Sequence, residues 1–305
     1  MALVRRFLHA VLAAAGLLAV AGSARAVEIA APYVPTAPSV VERMLEIAKV
    51  GPDDYLIDLG SGDGRIVITA AKKYGARGLG IEIDPRLVAQ ATANARLAGV
   101  SDRVSFEERD LFATDLSKAT IVAFYLLKRA SMKLRPGLLE LKPGTRIVSH
   151  AASMGDWKPD YFEILDVKDK VRPDAPSKTY IHFWIVPAKV AGTWRWSMQV
   201  GARAQNCELV VSQHFQTLSG TVRVGGKEVK VEQGRLEGDR ITLGFTVAVG
   251  GSSLQHRLTG RVADQSIVGT VSVMGGAVRG EAEWTATRVA SPKAAASWPA
   301  YALAR

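Results

Sequence analysis

An acidic, glycine-rich loop constrains the fold of this chain more than any other feature. The loop reads Asp58-Leu59-Gly60-Ser61-Gly62-Asp63-Gly64, and it joins the apolar run 55–59 to an amphipathic stretch, 65–74, that ends at Gly75. A buried strand, a glycine turn and a helix in this order are typical of a parallel βαβ unit. Open sheets of that kind bind ligands at the carboxyl ends of their strands. The loop therefore predicts an α/β fold with a ligand site at the glycines.

The alternation of strands and helices continues to residue 186. Strands are predicted at 55–59, 78–83, 104–107, 120–125, 145–149, 162–167 and 180–186, and helices at 40–50, 65–74, 85–97 and about 134–141. Ser39 is a suitable N-cap for the first helix, and Pro85 begins the third at a position that proline favours. This order predicts a doubly wound, Rossmann-like α/β sheet of seven strands that run parallel.

The loop departs from the glycine motifs that bind phosphate. A dinucleotide fingerprint requires GxGxxG and a P-loop requires Gly-Lys-Ser/Thr, whereas this loop reads GxGxG between Asp58 and Asp63. Two carboxylates repel a pyrophosphate, so a ligand with an ammonium and a sulfonium group and no phosphate fits better. Glu82 ends the second strand, where a carboxylate can accept both ribose hydroxyls, and Asp110 follows the third strand, where it can accept an adenine amino group. The alternative is a tight turn whose acids are only solvated.

Three segments in the same order resemble the class I S-adenosylmethionine-dependent methyltransferases. They are 58–64, 80–84 and 110–112. The segments Tyr33-Val34-Pro35-Thr36-Ala37-Pro38 and 59–68 are similar to the protein lysine methyltransferases of archaea and mitochondria, whose mitochondrial members modify ATP synthase subunit c and the adenine nucleotide translocase. The resemblance covers residues 33–161, about half of the chain.

The resemblance implies S-adenosyl-L-methionine as cofactor and a lysine amine of a protein as methyl acceptor. The implied cofactor-binding residues are Tyr33, Thr36, Asp58, Gly60, Ser61, Gly62, Asp63, Gly64, Glu82, Ile83, Asp110 and Leu111. A small-molecule methyl acceptor is an alternative, and so is an exported, non-catalytic binding protein on a methyltransferase fold.

Two residues are candidates for contact with the acceptor amine. Tyr125 ends the fourth strand and can accept a hydrogen bond from the amine, although an aromatic residue packed in the core is an equal interpretation. In the lysine methyltransferases that the chain resembles, the segment that follows is similar to Tyr-Leu-Leu-Pro, whereas this chain has Lys128 in place of the proline. His150 ends the fifth strand and can accept a proton near neutral pH, or it can simply bond a loop carbonyl. Trp157 and Tyr161 are predicted to line the substrate channel.

The N-terminal residues 1–26 have the pattern of a signal peptide. Arg5 and Arg6 precede the apolar run 7–20, and Ala24-Arg25-Ala26 provides the small residues of a cleavage site. We therefore expect the chain from residue 27, which begins with the methyltransferase domain at 27–187, to be exported, with the periplasm as destination. A cytoplasmic location is the alternative, because S-adenosylmethionine is made inside cells.

Short alternating segments separated by Gly-Gly pairs replace the α/β pattern after residue 187. They predict an all-β antiparallel, barrel-like domain over 188–290, followed by a flexible tail at 291–305. Residues 188–305 contain 14 basic and 8 acidic residues, within a chain of net charge +10. Such a surface can contact an anionic membrane or partner, but no basic run interleaved with aromatics indicates nucleic acid. A single cysteine, with isolated His214 and His256, predicts no metal site.

Overall fold

The computed structural model describes residues 32–200, 203–276 and 278–289. The predicted signal peptide at 1–26 and the predicted tail at 291–305 lie outside the described residues. Within the described ranges, no helix has the length and apolar character needed to cross a membrane.

The N-terminal half forms a seven-stranded sheet with helices on both faces. The strands, in the order β3-β2-β1-β4-β5-β7-β6, are β1 Tyr55–Leu59, β2 Arg77–Glu82, β3 Val104–Glu108, β4 Ile121–Phe124, β5 Arg146–His150, β6 Tyr161–Asp166 and β7 Lys178–Ile185. The helices are α1 Pro38–Ile47, α2 Arg65–Tyr74, α3 Pro85–Ala98 and α4 Lys128–Leu138, with a 3₁₀ turn at Leu111–Ala113. The doubly wound α/β prediction is confirmed.

The prediction that all seven strands run parallel is wrong for β7. This strand pairs antiparallel with both β5 and β6, so the sheet is mixed. Parallel neighbours need a crossover that is usually helical, whereas residues 167–177, between β6 and β7, contain no helix. The short connection turns the chain back as a hairpin and inserts β7 between β5 and β6.

Two helix starts differ from the predictions. Helix α1 begins at Pro38 with Ala37 as its N-cap, so Ser39 lies inside the helix and its backbone N–H and hydroxyl both bond to the carboxylate of Asp169. Helix α4 begins at Lys128 and includes Pro136. The proline lies in the last turn and is compatible with a helix that ends two residues later.

The C-terminal half is a closed antiparallel barrel. Its strands are β8 Gly192–Val200, β9 Arg203–His214, β10 Thr217–Val224, β11 Lys227–Lys230, β12 Gln233–Glu237, β13 Arg240–Val249, β14 Ser252–Ala263, β15 Ser266–Gly275 and β16 Val278–Arg288. The strands follow one another around the barrel, and β9 pairs with β10 to close the ring. The ring has eight strand positions for these nine strands. Strands β11 and β12 occupy one position together, because each pairs with a different part of β10. The barrel prediction is confirmed.

The barrel contacts the seven-stranded sheet through the turn between β9 and β10. The ring of Phe215, in this turn, stacks on Trp157 with centroids 5.8 Å apart, and Trp157 packs against Trp184 of β7. The side-chain amide of Gln216 donates to the carbonyl of Lys158 at 2.7 Å. All three aromatic residues are buried, so the two halves share one apolar contact around Trp157.

Truncation of Phe215 tests whether this contact stabilises the fold. Phe215→Ala removes the ring that covers Trp157 and leaves a cavity, so we expect a loss of about 3 kcal/mol in the free energy of unfolding. Urea denaturation measures it. The matched control is Val210→Ala on the outer face of β9, where the side chain is exposed and the expected change is within about 0.5 kcal/mol. Equal losses in the two variants would contradict the proposed contact.

Candidate active site

The carboxyl ends of five parallel strands bring the predicted site residues to one edge of the sheet. Register pairs Leu59 of β1 with Ile81 of β2 and with Phe124 of β4, and Phe124 in turn with Ser149 of β5. The residues that follow these positions are the glycine loop, Glu82, Tyr125 and His150. Sequence reasoning placed these residues at strand ends, and the sheet order brings the ends together.

The glycine loop takes a conformation that L side chains rarely adopt. Gly60, Gly62 and Gly64 have φ angles of 78°, 54° and 82°. The backbone N–H groups of Gly60 and Ser61 both donate to the carbonyl of Ile81, at 2.8 and 2.9 Å. The N–H of Gly62 donates to Oε2 of Glu82 at 2.9 Å. The loop is therefore fixed against the end of β2 before any ligand is considered.

Close packing around the loop leaves no room for side chains at two glycines. A Cβ built at Gly62 would lie 2.5 Å from Cε2 of Tyr33, so the ring of Tyr33 rests directly on the loop. A Cβ at Gly80 of β2 would lie 2.4 Å from Cδ1 of Phe106 and 2.7 Å from Oγ of Ser61. Tyr33 therefore joins the loop from a distant part of the sequence, as the resemblance implied.

Asp58 is buried at the end of β1 without a hydrogen-bond partner for either carboxylate oxygen. The hydroxyl of Ser61, three residues on, is also buried without a partner. Burial, with the nearby charges of Glu82 and Asp63, raises the pKa of the Asp58 carboxyl to about 8. A buried carboxylate without a donor is costly, so this position requires a cationic or hydrogen-bond-donating ligand.

Asp63 does not share that role. Its two oxygens accept from Nε and Nη2 of Arg65, at 2.9 and 2.6 Å, and this pairing contributes to a lowered pKa of the Asp63 carboxyl. Nη1 of Arg65 donates to the carbonyl of Thr36 at 2.6 Å. The expectation that both acids attract a cation fits Asp58, whose oxygens have no partner, better than Asp63, whose charge Arg65 offsets. Arg65, which sequence reasoning missed, neutralises Asp63 and ties the loop to the segment before α1.

Glu82 and Asp110 retain hydrogen-bonding capacity toward the site. Oε1 of Glu82 accepts the N–H groups of Ile83 and Asp84 at 2.7 and 3.1 Å, whereas Oε2 accepts only the N–H of Gly62 and has a further lone pair. Asp110 caps the 3₁₀ turn by accepting the N–H of Phe112 at 2.9 Å. Ile83 is exposed and Leu111 half-buried, so both present apolar surface beside these acids.

The residues present fit S-adenosylmethionine. The partnerless carboxylate of Asp58 suits the ammonium of the methionine moiety, and Glu82, fixed by three backbone N–H groups, suits a ribose diol. Asp110, with Leu111 next to it in sequence and Ile83 just beyond the end of the neighbouring strand β2, suits the adenine ring.

Tyr125 and His150 contact each other at the ends of β4 and β5. Their ring centroids lie 3.8 Å apart, with the planes tilted by 34°. Nδ1 of His150 is 3.1 Å from the hydroxyl of Thr36, and Nε2 is 2.7 Å from the hydroxyl of Thr179. Burial lowers the pKa of His150 to about 4. The interpretation of His150 as a proton acceptor near neutral pH does not fit this environment. His150 instead joins β4, β5, β7 and the segment before α1.

A cavity of about 170 Å³ opens beside these two rings. Its apolar walls come from two segments, the one before α1 (Val34, Pro35, Ala37) and the one between β6 and β7 (Val167, Val171, Ala175, Pro176). Tyr125, His150 and Thr179 provide its polar surface, and Lys170, Arg172, Asp174 and Lys178 its charged surface. Sequence reasoning missed the second wall, because residues 167–178 have no periodic pattern and approach Tyr125 only through the pairing of β7 with β5.

Trp157 and Tyr161 do not line this cavity. Trp157 is fully buried against Trp184 and Phe215, and Tyr161 donates its hydroxyl to Glu163 on β6. Trp157 therefore forms part of the contact with the barrel, and Tyr161 lies at the edge of the sheet.

Within the described residues, no group of three or more His, Cys, Asp or Glu side chains could hold a metal ion.

The strand order 3-2-1-4-5-7-6, with β7 reversed and acids at the ends of β1 and β2, defines a class I S-adenosylmethionine-dependent methyltransferase. The model of the family described as ANTKMT methyltransferase domain matches residues 58–161. A protein-lysine N-methyltransferase of Saccharolobus islandicus is 47% identical over 140 residues, which are 45% of this chain and 86% of the relative. The chain belongs to the methyltransferase family of this archaeal protein.

Other similar proteins extend this comparison. The adenine nucleotide translocase lysine N-methyltransferase of Mus musculus is 36% identical over 130 residues, which cover 42% of this chain and 56% of the mouse protein. A crystal structure of an RNA methyltransferase from Salinibacter ruber in complex with S-adenosyl-L-homocysteine is 50% identical, with a TM-score of 0.46. It covers 52% of this chain and 96% of its own. Membership of this methyltransferase family makes S-adenosylmethionine the cofactor of the chain.

A substitution at Gly62 tests the contact between the loop and Tyr33. Gly62→Ala places a methyl group 2.5 Å from the Tyr33 ring at a φ of 54°, so the ring must move. We expect the dissociation constant for S-adenosylmethionine, measured by calorimetry, to rise at least about tenfold. Gly226→Ala is the control, because Gly226 also has a positive φ, 81°, but has open space around it in the barrel. Unchanged cofactor affinity in Gly62→Ala would refute the contact.

The raised pKa of Asp58 gives a pH-dependent prediction for the protein without cofactor. The folded state holds this proton more tightly than the unfolded chain, whose aspartate pKa is about 3.9. The contribution of Asp58 to the free energy of unfolding therefore falls as the pH rises from about 4 toward the folded value of about 8. An asparagine at position 58 has no group that ionises in this range. The thermal midpoint of Asp58→Asn should therefore rise relative to that of the wild type between pH 5 and pH 8, while cofactor binding is lost. Asp102→Asn, at an exposed site, should show neither effect.

Proposed function

We propose that the protein N-methylates lysine side chains of a protein substrate. The observation that carries this proposal is the cavity beside Tyr125, which has apolar walls and lies at the end of β4, the strand that pairs with β1 ahead of the glycine loop. Apolar walls suit the aliphatic stem of a lysine, and a phenolic oxygen suits its amine. The names of the archaeal and mouse relatives, both lysine N-methyltransferases, support the same acceptor.

The chain's own residues mainly have to position and shield the reactants. When bound, the cofactor supplies an electrophilic methyl group on a sulfonium. Asp58 would hold the ammonium, Glu82 the ribose and Asp110 the adenine ring, so that three strand ends would anchor the cofactor. Fixed positioning of this kind supplies a large part of the rate in a two-reactant step. Tyr33, lying on Gly62, covers the loop and limits the access of water.

The acceptor amine has to arrive without its proton, because an ammonium has no free lone pair. His150 is unsuited to take that proton, since hydroxyl groups contact both of its ring nitrogens and its pKa lies near 4. We therefore assign the amine proton to solvent. Tyr125 orients the neutral amine by accepting a hydrogen bond, and the close contact with the His150 ring fixes the Tyr125 ring.

The test is methyl transfer from radiolabelled S-adenosylmethionine to a protein extract by the purified full-length chain. We expect label in protein, recovered as methyllysine after hydrolysis. Tyr125→Phe should lower kcat by about tenfold to hundredfold, the cost of one lost hydrogen bond to the reacting amine, with cofactor affinity unchanged. Tyr161→Phe, on β6, is the matched control and should retain the wild-type rate. Label only in small molecules or lipids would contradict the proposal, as would cofactor binding without any transfer.

A further inference from the structure

The charged residues around the cavity are predominantly basic. We call residues 167–178 the cavity loop, since they form its outer wall. The loop brings Lys170, Arg172 and Lys178 to the cavity lining but only one carboxylate, that of Asp174. From this imbalance, and resting on the proposed lysine methylation, we infer that the enzyme selects lysines with acidic neighbours and that Lys170 and Lys178 provide the selection.

The acids of the cavity loop are engaged by other groups. Asp174 pairs with Arg172 through Nη2 and Nε, and Asp169 accepts both the N–H and the hydroxyl of Ser39 at the start of α1. Asp166 is 3.9 Å from Lys178, with about 70% of each side chain exposed, so this pair is weak. Among the described residues, Lys170 has no ion pair within 4.0 Å. Lys170 and Lys178 are therefore able to bind carboxylates of a substrate.

This charge arrangement acts on the acceptor in two ways. Basic residues beside the target lysine meet a lining of the same sign and are repelled, whereas Asp or Glu beside it gain attraction. The same lining disfavours the ammonium form of the target lysine, so an isolated lysine enters poorly. Acidic neighbours offset that repulsion while they pair with the loop. Selection by charge therefore favours a lysine within an acidic segment.

Direct binding to peptides tests the inference without methyl transfer. Three fluorescein-labelled peptides carry one central lysine flanked by Glu, by Gln or by Arg, and fluorescence anisotropy measures their affinity for the full-length chain. We expect the Glu peptide to bind about tenfold more tightly than the Gln peptide, the result of two partly exposed ion pairs, and the Arg peptide to bind most weakly. Raising the ionic strength to about 1 M should remove the difference, because the Debye length then falls to about 3 Å.

Charge reversal in the cavity loop provides the matched comparison. The double variant Lys170→Glu/Lys178→Glu should invert the order of the peptides, while Lys230→Glu, on the exposed strand β11, should leave it unchanged. The calorimetric affinity for S-adenosylmethionine shows that each variant is folded. Equal binding of the three peptides, no binding by any of them, or the same order in the double variant would each overturn the inference. If the extract assay gave no methyllysine while the peptides kept the expected order of affinity, that result would instead contradict the proposed lysine methylation.

Discussion

The arrangement of the site depends on one buried carboxyl group that has no hydrogen-bond partner in the protein, that of Asp58. It lies at the end of a central strand, where neighbouring strands cover it on both sides and no protein donor reaches it. A buried group of this kind is tolerated only where the rest of the structure is stable enough to hold it. The glycine loop, the close approach of Phe106 to Gly80 and the pairing of Asp63 with Arg65 all surround this one carboxylate. The protein without cofactor therefore bears the cost of a buried carboxyl group without a hydrogen-bond partner. A bound cofactor ammonium would offset that cost.

A second set of contacts connects the cofactor loop to the acceptor cavity. From Asp63 the contacts run through Arg65 to the carbonyl of Thr36, from the Thr36 hydroxyl to His150, and from His150 to Thr179 on β7. Burial lowers the pKa of His150 to about 4, which favours the neutral ring. His150 therefore contributes two hydrogen bonds and one ring contact to this chain of contacts. A histidine at a strand end beside an active site is easily interpreted as a base. Here its burial favours a positioning role.

The parts of the molecule that could be predicted from sequence are those coded locally. The glycine loop, Glu82 and Asp110 each follow an apolar strand directly, so the position of each along its strand could be predicted from its neighbours alone. The reversal of β7, the burial of Trp157 and the cavity wall between β6 and β7 depend on contacts between distant segments. Trp157 shows the difference, because its surroundings come from Trp184 and Phe215, which follow it by 27 and 58 residues. Nothing near Trp157 in the sequence distinguishes a channel wall from a contact with the barrel.

The closed ring of the barrel has a consequence for the chain as a whole. An open sheet ends in strands whose backbone groups can pair with another molecule, and the outer strands β3 and β6 are such edges in the seven-stranded sheet. A second open sheet would add two more. Because β9 pairs with β10, the barrel closes on itself, and among its described strands the four-residue β11 pairs on one side only, with β10. The chain thus carries a second hydrophobic core without the two long open edges that a second open sheet would add.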